Sequence, residues 1–461
     1  MPLVSALSHA QSMPLSAPLT KQPRQMAANV LGNLKSQSKG WFDTTSGTIK
    51  TDAVADFTLA NSEYLTVANG GAAGLCGPGA FTISAWIKIH DVSQYHEIAA
   101  CFDSTGSQRA FIFRTNVTDG KLHLLVYPNG SGSGAASTTS PSGLATNTLF
   151  HVVGRYNGSH LQIFVDGTSV SSSAYTGAVH QSTSAFGVGF RGNGISYFDG
   201  NIAMLGYWNR GISDAEVTSL YNSGTPLSYS GLSSDDKQDL VSFWHLNEPS
   251  GVRYDAHGSN NLTDNNTVGV DTGWVEYDAT EHSAITKWEN QAGVAGFADL
   301  TRAADSDSPV LSSNKVDFYN AAKRLSSSSG SLTQPCTIIA IVNHNSTGVN
   351  DTIVDSFGSS DQILLNNSSS SLANLFAGSS VSGAAVGSGR RIYIATVNGS
   401  SSSLEVSGQD KATGDAGSNS MTGLSVGSSY SETNSLNGDI EKLFLVDRLL
   451  TEREVAAILA L

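Results

Sequence analysis

Three clusters in the sequence carry residue types that could do chemistry. The first is Glu276-Tyr-Asp278-Ala-Thr-Glu281, three carboxylates within six residues. Retaining glycoside hydrolysis needs two carboxyls about 5 Å apart. Side chains alternate along a strand, so 276 and 278 share a face while 281 points away. The helix-like run Ser283–Trp288 follows, with no apolar strand to continue it, and the cluster reads as a surface turn. The second, Gly187-Val-Gly189-Phe-Arg-Gly192, has the glycine spacing of a dinucleotide loop. Such a loop opens a helix, whereas Asn193-Gly194 and the strand-like Ile195–Phe198 follow here. The third, Gly423-Leu-Ser425-Val-Gly427, is spaced like a nucleophile elbow, but no histidine follows His344, and that chemistry takes its histidine downstream. The eleven histidines never fall at metal-ligand spacing. Asp305-Ser-Asp307 lacks the ligand ladder of a calcium loop and reads as solvated, although calcium is the one ion it leaves open. The chain reads as a non-enzyme with no catalytic residue, metal or cofactor.

The elements that would position these residues repeat. Asp56-Phe57 answers to Asp317-Phe318, Phe81–Lys88 (FTISAWIK) to Cys336–Asn343 (CTIIAIVN), and Val153–Gly158 (VGRYNG) to Ile394–Gly399 (IATVNG). Phe186–Phe190 answers to Leu424–Ser428, and Gly200–Val217 to Gly438–Val455. The offsets fall in order through 261, 255, 241 and 238, so the second copy is the first with shorter loops. In Phe81–Ile89 the residues Phe81, Ile83, Ala85, Ile87 and Ile89 share one face, a period of two that predicts a strand with one side in a core. Ser213-Asp-Ala-Glu216 and Thr451-Glu-Arg-Glu454 are capping boxes, so a short helix closes each copy.

Composition agrees. Charged residues make up 14% of the 461, against about 25% in ordinary soluble domains. No apolar run reaches the ~18 residues of a membrane span. The net charge of −14 argues against nucleic acid as a partner. That charge is uneven: Met1–Phe42 holds Lys21, Arg24, Lys35 and Lys39 with no acid, a +4 arm before a −18 body. Prolines at 2, 14 and 18 and the missing basic start exclude a secretory signal. Cys76, Cys101 and Cys336 read as free thiols, with a Cys76–Cys101 bridge left open.

FTISAWIK, Arg155–Gly158 with Leu161–Gly167 (LQIFVDG), and the closing strand with its SDAEV helix resemble laminin-G-like jelly rolls of the concanavalin A superfamily. Leu240–Val268 is similar to the opening segment of such modules in bacterial surface and phage proteins, and 276–325 to the lectin/glucanase-like domain of phage virion proteins. The resemblance implies an all-β chain of two tandem concanavalin A-like jelly-roll sandwiches behind an extended N-terminal arm. The expected boundaries are 1–50 for the arm, 51–225, a bridging segment with a strand at 226–272 that completes the sheet of one sandwich or joins the two, and 273–461. It also implies a virion-surface protein, docked on other virion proteins through residues 1–42 as a homo-oligomer, and a host-glycan partner. Glycosidase or lyase activity and a secreted bacterial lectin are the alternatives. A basic, coreless arm gains order by lying on a partner, so Lys21, Arg24, Met26, Val30, Leu34, Lys35 and Lys39 are the expected docking residues. Trp86, with Thr82, Ser84 and Lys88 beside it on the face opposite the core, is the expected sugar platform.

Overall fold

Strands of alternating polarity cannot bury one face alone, so they pair into sheets and the sheets stack. The computed structural model describes residues 30–31, 33–44, 49–77, 79–192, 196–272, 277–279, 282–292, 295–302, 308–319, 323–345, 350–358, 362–368, 370–432 and 434–461. The chain divides into two compact units, one of Thr44–Glu289 with Asp299–Ser326, the other of the residues up to Asp43 with Asn290–Ala298 and Ser327–Leu461.

The chain opens with β1 (Ser38–Asp43), then builds the first unit from β2 (Val54–Phe57), β3 (Tyr64–Val67), β4 (Phe81–Ile89), β5 (His96–Asp103), β6 (Gln108–Thr115), β7 (Lys121–Gly130) and β8 (Ala136–Gly143). β9 (Phe150–Tyr156), β10 (His160–Val165), β11 (Thr168–Ala174), β12 (Phe186–Val188), β13 (Gly200–Trp208), α1 (Asp214–Tyr221), β14 (Leu240–Trp244), β15 (Thr263–Asn265) and β16 (Gly269–Asp271) complete it. One sheet runs β11-β10-β9-β4-β13-β2-β16 with β14 also on β13, and the other runs β15-β3-β12-β5-β6-β7-β8. Phe81, Ile83, Ala85, Ile87 and Ile89 face the core between them, against Phe111, Phe113, Phe186 and Trp244. Cys76 and Cys101 are joined in a disulfide with Cα atoms 5.8 Å apart, which corrects the reading of three free thiols. Their approach is made by the loop after β3 folding onto β5, a long-range contact with no local sequence signal. Cys336 is the free, buried thiol.

In the second unit β17 (Cys336–His344), β18 (Asp351–Asp355), β19 (Leu364–Asn367), β20 (Leu372–Phe376), β21 (Ser380–Ala385), β22 (Gly389–Val397), β23 (Ser402–Val406), β24 (Ala412–Gly414), β25 (Met421–Val426) and β26 (Gly438–Val446) lead to α2 (Glu452–Leu459). The order β26-β17-β22-β23-β24 repeats β13-β4-β9-β10-β11 of the first unit, and β25-β18-β19-β20-β21 faces it. Both units are jelly-roll sandwiches of antiparallel strands.

Strand pairing assigns two segments to their sandwiches. The bridging segment belongs to the first sandwich: β14 pairs with β13, β15 with β3 and β16 with β2. The end of the expected arm belongs to the second, because β1 pairs with β26. The two pairings are equivalent. Leu240, Ser242, Phe243 and Trp244 oppose Trp208, Tyr207, Gly206 and Leu205, while Ser38, Gly40, Trp41 and Phe42 oppose Val446, Leu445, Phe444 and Leu443. At the repeat offset these are the same positions, bulge included. Leu34, Trp41 and Phe42 are buried there, Leu34 and Trp41 beside Ile339, Ile341, Phe444 and Ile458.

A clamp also repeats. Glu216 and Glu454 close the capping boxes of α1 and α2. Each also pairs with the arginine six residues before it, Arg210 and, at 2.8 Å, Arg448. Thr82 and Thr337 donate to the carbonyls of those arginines at 2.7 and 2.8 Å. The arginine hydrogen bonds hold both carboxyls down at about 2. Stability from a depressed carboxyl is present above its ordinary value of about 4.5 and fades as pH falls toward 2. Glu216→Ala or Glu454→Ala is expected to cost about 1–2 kcal/mol at pH 7, and thermal melts should show that cost shrinking between pH 4.5 and 2.

Candidate functional site

The expected sugar platform is covered. Trp86 is 3% exposed, with its ring 5.9 Å from Tyr221 of α1 and 5.2 Å from His151. Ser84 Oγ lies 2.8 Å from His151 Nε2, and burial brings the His151 pKa down to about 3. Thr82 is fully buried in the clamp, and Lys88 pairs with Asp271 at 3.0 Å. The cause is the apolar side of α1: Val217 and Leu220 need an apolar surface, and Trp86, Val153 and Phe164 supply it.

The docking residues divide. Lys21, Arg24 and Met26 lie outside the described residues. Val30 and Leu34 pack on the chain's own second sandwich, Lys35 donates to Gln291 at 2.7 Å, and Lys39 lies 3.9 Å from Asp447. These four are engaged within the second unit, because β1 draws them onto β26. Glu276, Glu281, Asp305 and Asp307 also lie outside the described residues. Ser425 is buried and donates to the Ser428 carbonyl at 2.8 Å, so it is no nucleophile. Among the described residues no three His, Cys, Asp or Glu side chains gather as a metal site would require.

The other sheet of the first sandwich has an outer face that no helix covers among the described residues. Directly opposed residues of adjacent strands share a face. Ala100, Ile112 and Leu125 form one row across β5, β6 and β7, and Glu97, Arg114 and His123 form the next. Glu97 Oε1 lies 3.5 Å from Arg114 Nη1 and 3.9 Å from Arg191 Nε. The Arg114 guanidinium sits 3.9 Å over the Tyr95 ring. Arg109 and Arg191 lie 5.3 and 5.4 Å from the Phe102 ring, which meets Tyr127 edge-on at 5.8 Å.

The glycine-spaced motif builds one wall of this face. Its loop folds back over the sheet, so that a Cβ on Gly187 would stand 2.7 Å from the Phe190 carbonyl oxygen. Gly192, at φ +108°, leaves room for the Phe102 carbonyl, 2.2 Å from where a Cβ would be. The loop lays Phe190 on Tyr64 with ring centroids 4.2 Å apart and brings Arg191 to Glu97. A cavity of about 210 Å³ opens among Phe102, Asp103, Ser184, Gly187, Phe190 and Arg191. Burial pushes the Glu97 carboxyl up to about 7 against the pull of Arg114 and Arg191. Burial, then Arg114, holds His123 down at about 4. Aromatic rings beside charged and hydroxyl groups can stack on the apolar face of a sugar and bond its hydroxyls. Sequence reasoning missed these residues. The available signal was Glu97 and Arg114, charges inside otherwise apolar strands of a charge-poor chain.

Residues 59–218 match a laminin-G family model described as the concanavalin A-like lectin/glucanases superfamily. No curated protein matches the chain. Similar solved structures include a candidate carbohydrate-binding protein from Bacteroides ovatus (TM-score 0.37, 18% identity, covering 48% of this chain and 60% of that one). This chain therefore spans three fifths of the Bacteroides protein's length. Others are mouse laminin α1 LG4-5 (TM-score 0.29, 11% identity, 88% of this chain and 93% of that one) and the CBM40 domain of the Ruminococcus gnavus IT-sialidase bound to α2,3-sialyllactose (TM-score 0.31, 13% identity, 38% of this chain and 100% of that one).

Proposed function

We propose that the protein is a non-enzymatic glycan-binding adhesion protein displayed on a phage particle, and that the laminin-G-like sandwich takes its ligand on the open sheet face. The observation that carries this reading is the contrast between the two outer faces of that sandwich. One is sealed by α1 over Trp86; the other presents Tyr64, Phe102, Phe190 and Arg191, all half-buried. The particle assignment rests on the resemblance of residues 276–325 to virion domains, and residues 1–29, with Lys21 and Arg24, are the segment proposed to dock.

Phe190→Ala is expected to lower retention on immobilised host polysaccharide about tenfold, since a stacking ring contributes about 0.5–1.5 kcal/mol in addition to the area it buries. Retention equal to that of the unchanged protein would overturn the site. Reducing ends should not accumulate when the polysaccharide is incubated with the protein, and their release would favour the glycosidase reading. Absence of the protein from purified particles would remove the virion assignment.

A further inference from the structure

The open face has a charge pattern that a neutral sugar does not need. Arg109, Arg114 and Arg191 all act electrostatically on the Tyr127 hydroxyl, opposed by Glu97. Two of these cations, Arg114 and Arg191, reach Glu97, and Arg109 lies beside them over Phe102, in a chain of net charge −14. The acid is poorly used. Glu97 is fully buried, yet its nearest cations are Arg114 Nη1 at 3.5 Å and Arg191 Nε at 3.9 Å, so it gains at most one long hydrogen bond, from Arg114, and among the described residues the Nε of Arg114 and of Arg191 are buried without an acceptor. A separation of 3.5 Å is the outer limit of a hydrogen bond, and 3.9 Å sets charge against charge without one. Buried polar groups in this state cost stability until something bonds them. Arg191 also lines the cavity, so a ligand group entering there meets its guanidinium.

We propose that this face selects acidic glycans: the carboxylate or sulfate of the sugar is held by Arg191 and Arg114, with Arg109 beside them, and Glu97 is a built-in counter-ion whose charge the ligand replaces. The inference rests on the reading of this face as a glycan site and names the class of glycan. Guanidinium suits the task because its planar fork matches both anions.

The consequence is a pH dependence. A Glu97 that titrates at about 7 is charged at pH 8 and largely neutral at pH 6. An incoming anion favours neutral Glu97, so affinity rises as pH falls through that range. Of the groups facing it, His123 is held at about 4 and the Tyr127 hydroxyl is raised above its ordinary value, so neither changes charge there, and a guanidinium stays cationic throughout. Asp103, which accepts from the amides of Thr105 and Gly106, is the other acid on this face.

The test is binding of the full chain to polygalacturonate (carboxylate), dextran sulfate (sulfate) and dextran (neutral) at pH 8, 7 and 6. At least one acidic polymer should bind tenfold tighter than dextran, and tighten up to about tenfold from pH 8 to 6. Whichever acidic polymer binds better identifies the anion. Glu97→Gln, close to isosteric, should bind at pH 8 as the unchanged protein does at pH 6 and lose the dependence. Arg191→Ala should weaken acidic binding at least tenfold, with Arg191→Lys between the two. Dextran binding as tightly as both acidic polymers, or a pH dependence kept in Glu97→Gln, would overturn the inference while leaving the glycan reading in place. Binding of none of the three, nor of host polysaccharide, would overturn both.

Discussion

Removing residues 1–43 is expected to unfold the second sandwich and leave the laminin-G-like sandwich folded. The segment carries β1, whose ladder runs along β26 from Ser38 to Asp43. It also carries Leu34, Trp41 and Phe42, each 4% exposed or less. Trp41 stacks on Phe444 with ring centroids 3.8 Å apart and donates from Nε1 to Asp43 at 3.0 Å. Burying each large apolar side chain contributes about 1.5–3 kcal/mol. The three together approach the 5–15 kcal/mol that holds a whole domain. Losing Leu34 and Trp41 would also strip cover from Ile339, Ile341 and Val446, which share their cluster. Calorimetry should show two transitions in the full chain and one in the truncated chain. Two transitions in both would mean that β1 is dispensable. The point substitution Trp41→Ala should lower the same transition by about 3–5 kcal/mol. A cut after residue 29, which spares Leu34 and β1, is therefore the deletion that tests docking without testing folding.

What could be read from the sequence depended on how local its cause was. The core strands announced themselves because alternation in Phe81–Ile89 is a property of nine consecutive residues. The helices did so because Ser213 with Glu216, and Thr451 with Glu454, satisfy each other's backbone within one turn. The repeat was legible because β13 and β26 keep one register against β4 and β17, each with a bulge. The covered platform was half legible: the alternation of Trp86 was correct, and so was the apolar side of α1, but only the fold brings the two together. The open face left only a faint local sign, the charges of Glu97 and Arg114 inside apolar strands, and nothing that joined them. Glu97, Arg114 and Arg191 lie 17 and 77 residues apart in sequence, and they meet through strand pairing and one folded-back loop. The destination of β1 was hidden for the same reason. Six residues with the sequence SKGWFD do not say which sheet they will join, and the partner strand lies at the far end of the chain.

The equivalence of β1 and β14 gives the second large effect. If β14 completes the first sandwich as β1 completes the second, then Trp244 holds the place of Phe42, facing inward between the sheets. Trp244 is fully buried, stacks on Phe186 at 5.7 Å and donates from Nε1 to the Asn260 carbonyl at 2.8 Å. Its contacts lie in the same core as Phe81, Phe111 and Tyr207. Trp244→Ala should therefore lower the stability of the first sandwich by about 3–5 kcal/mol, and leave the transition assigned to the second unit by the truncation where it was. Trp244→Phe should recover most of the packing and still leave the Asn260 carbonyl without its donor, a loss of about 1 kcal/mol. A linker residue on the surface would behave otherwise, with both substitutions within about 0.5 kcal/mol of the unchanged protein. That result would return residues 226–272 to the role of a bridge, and it would break the correspondence between the two opening strands on which the truncation experiment also depends.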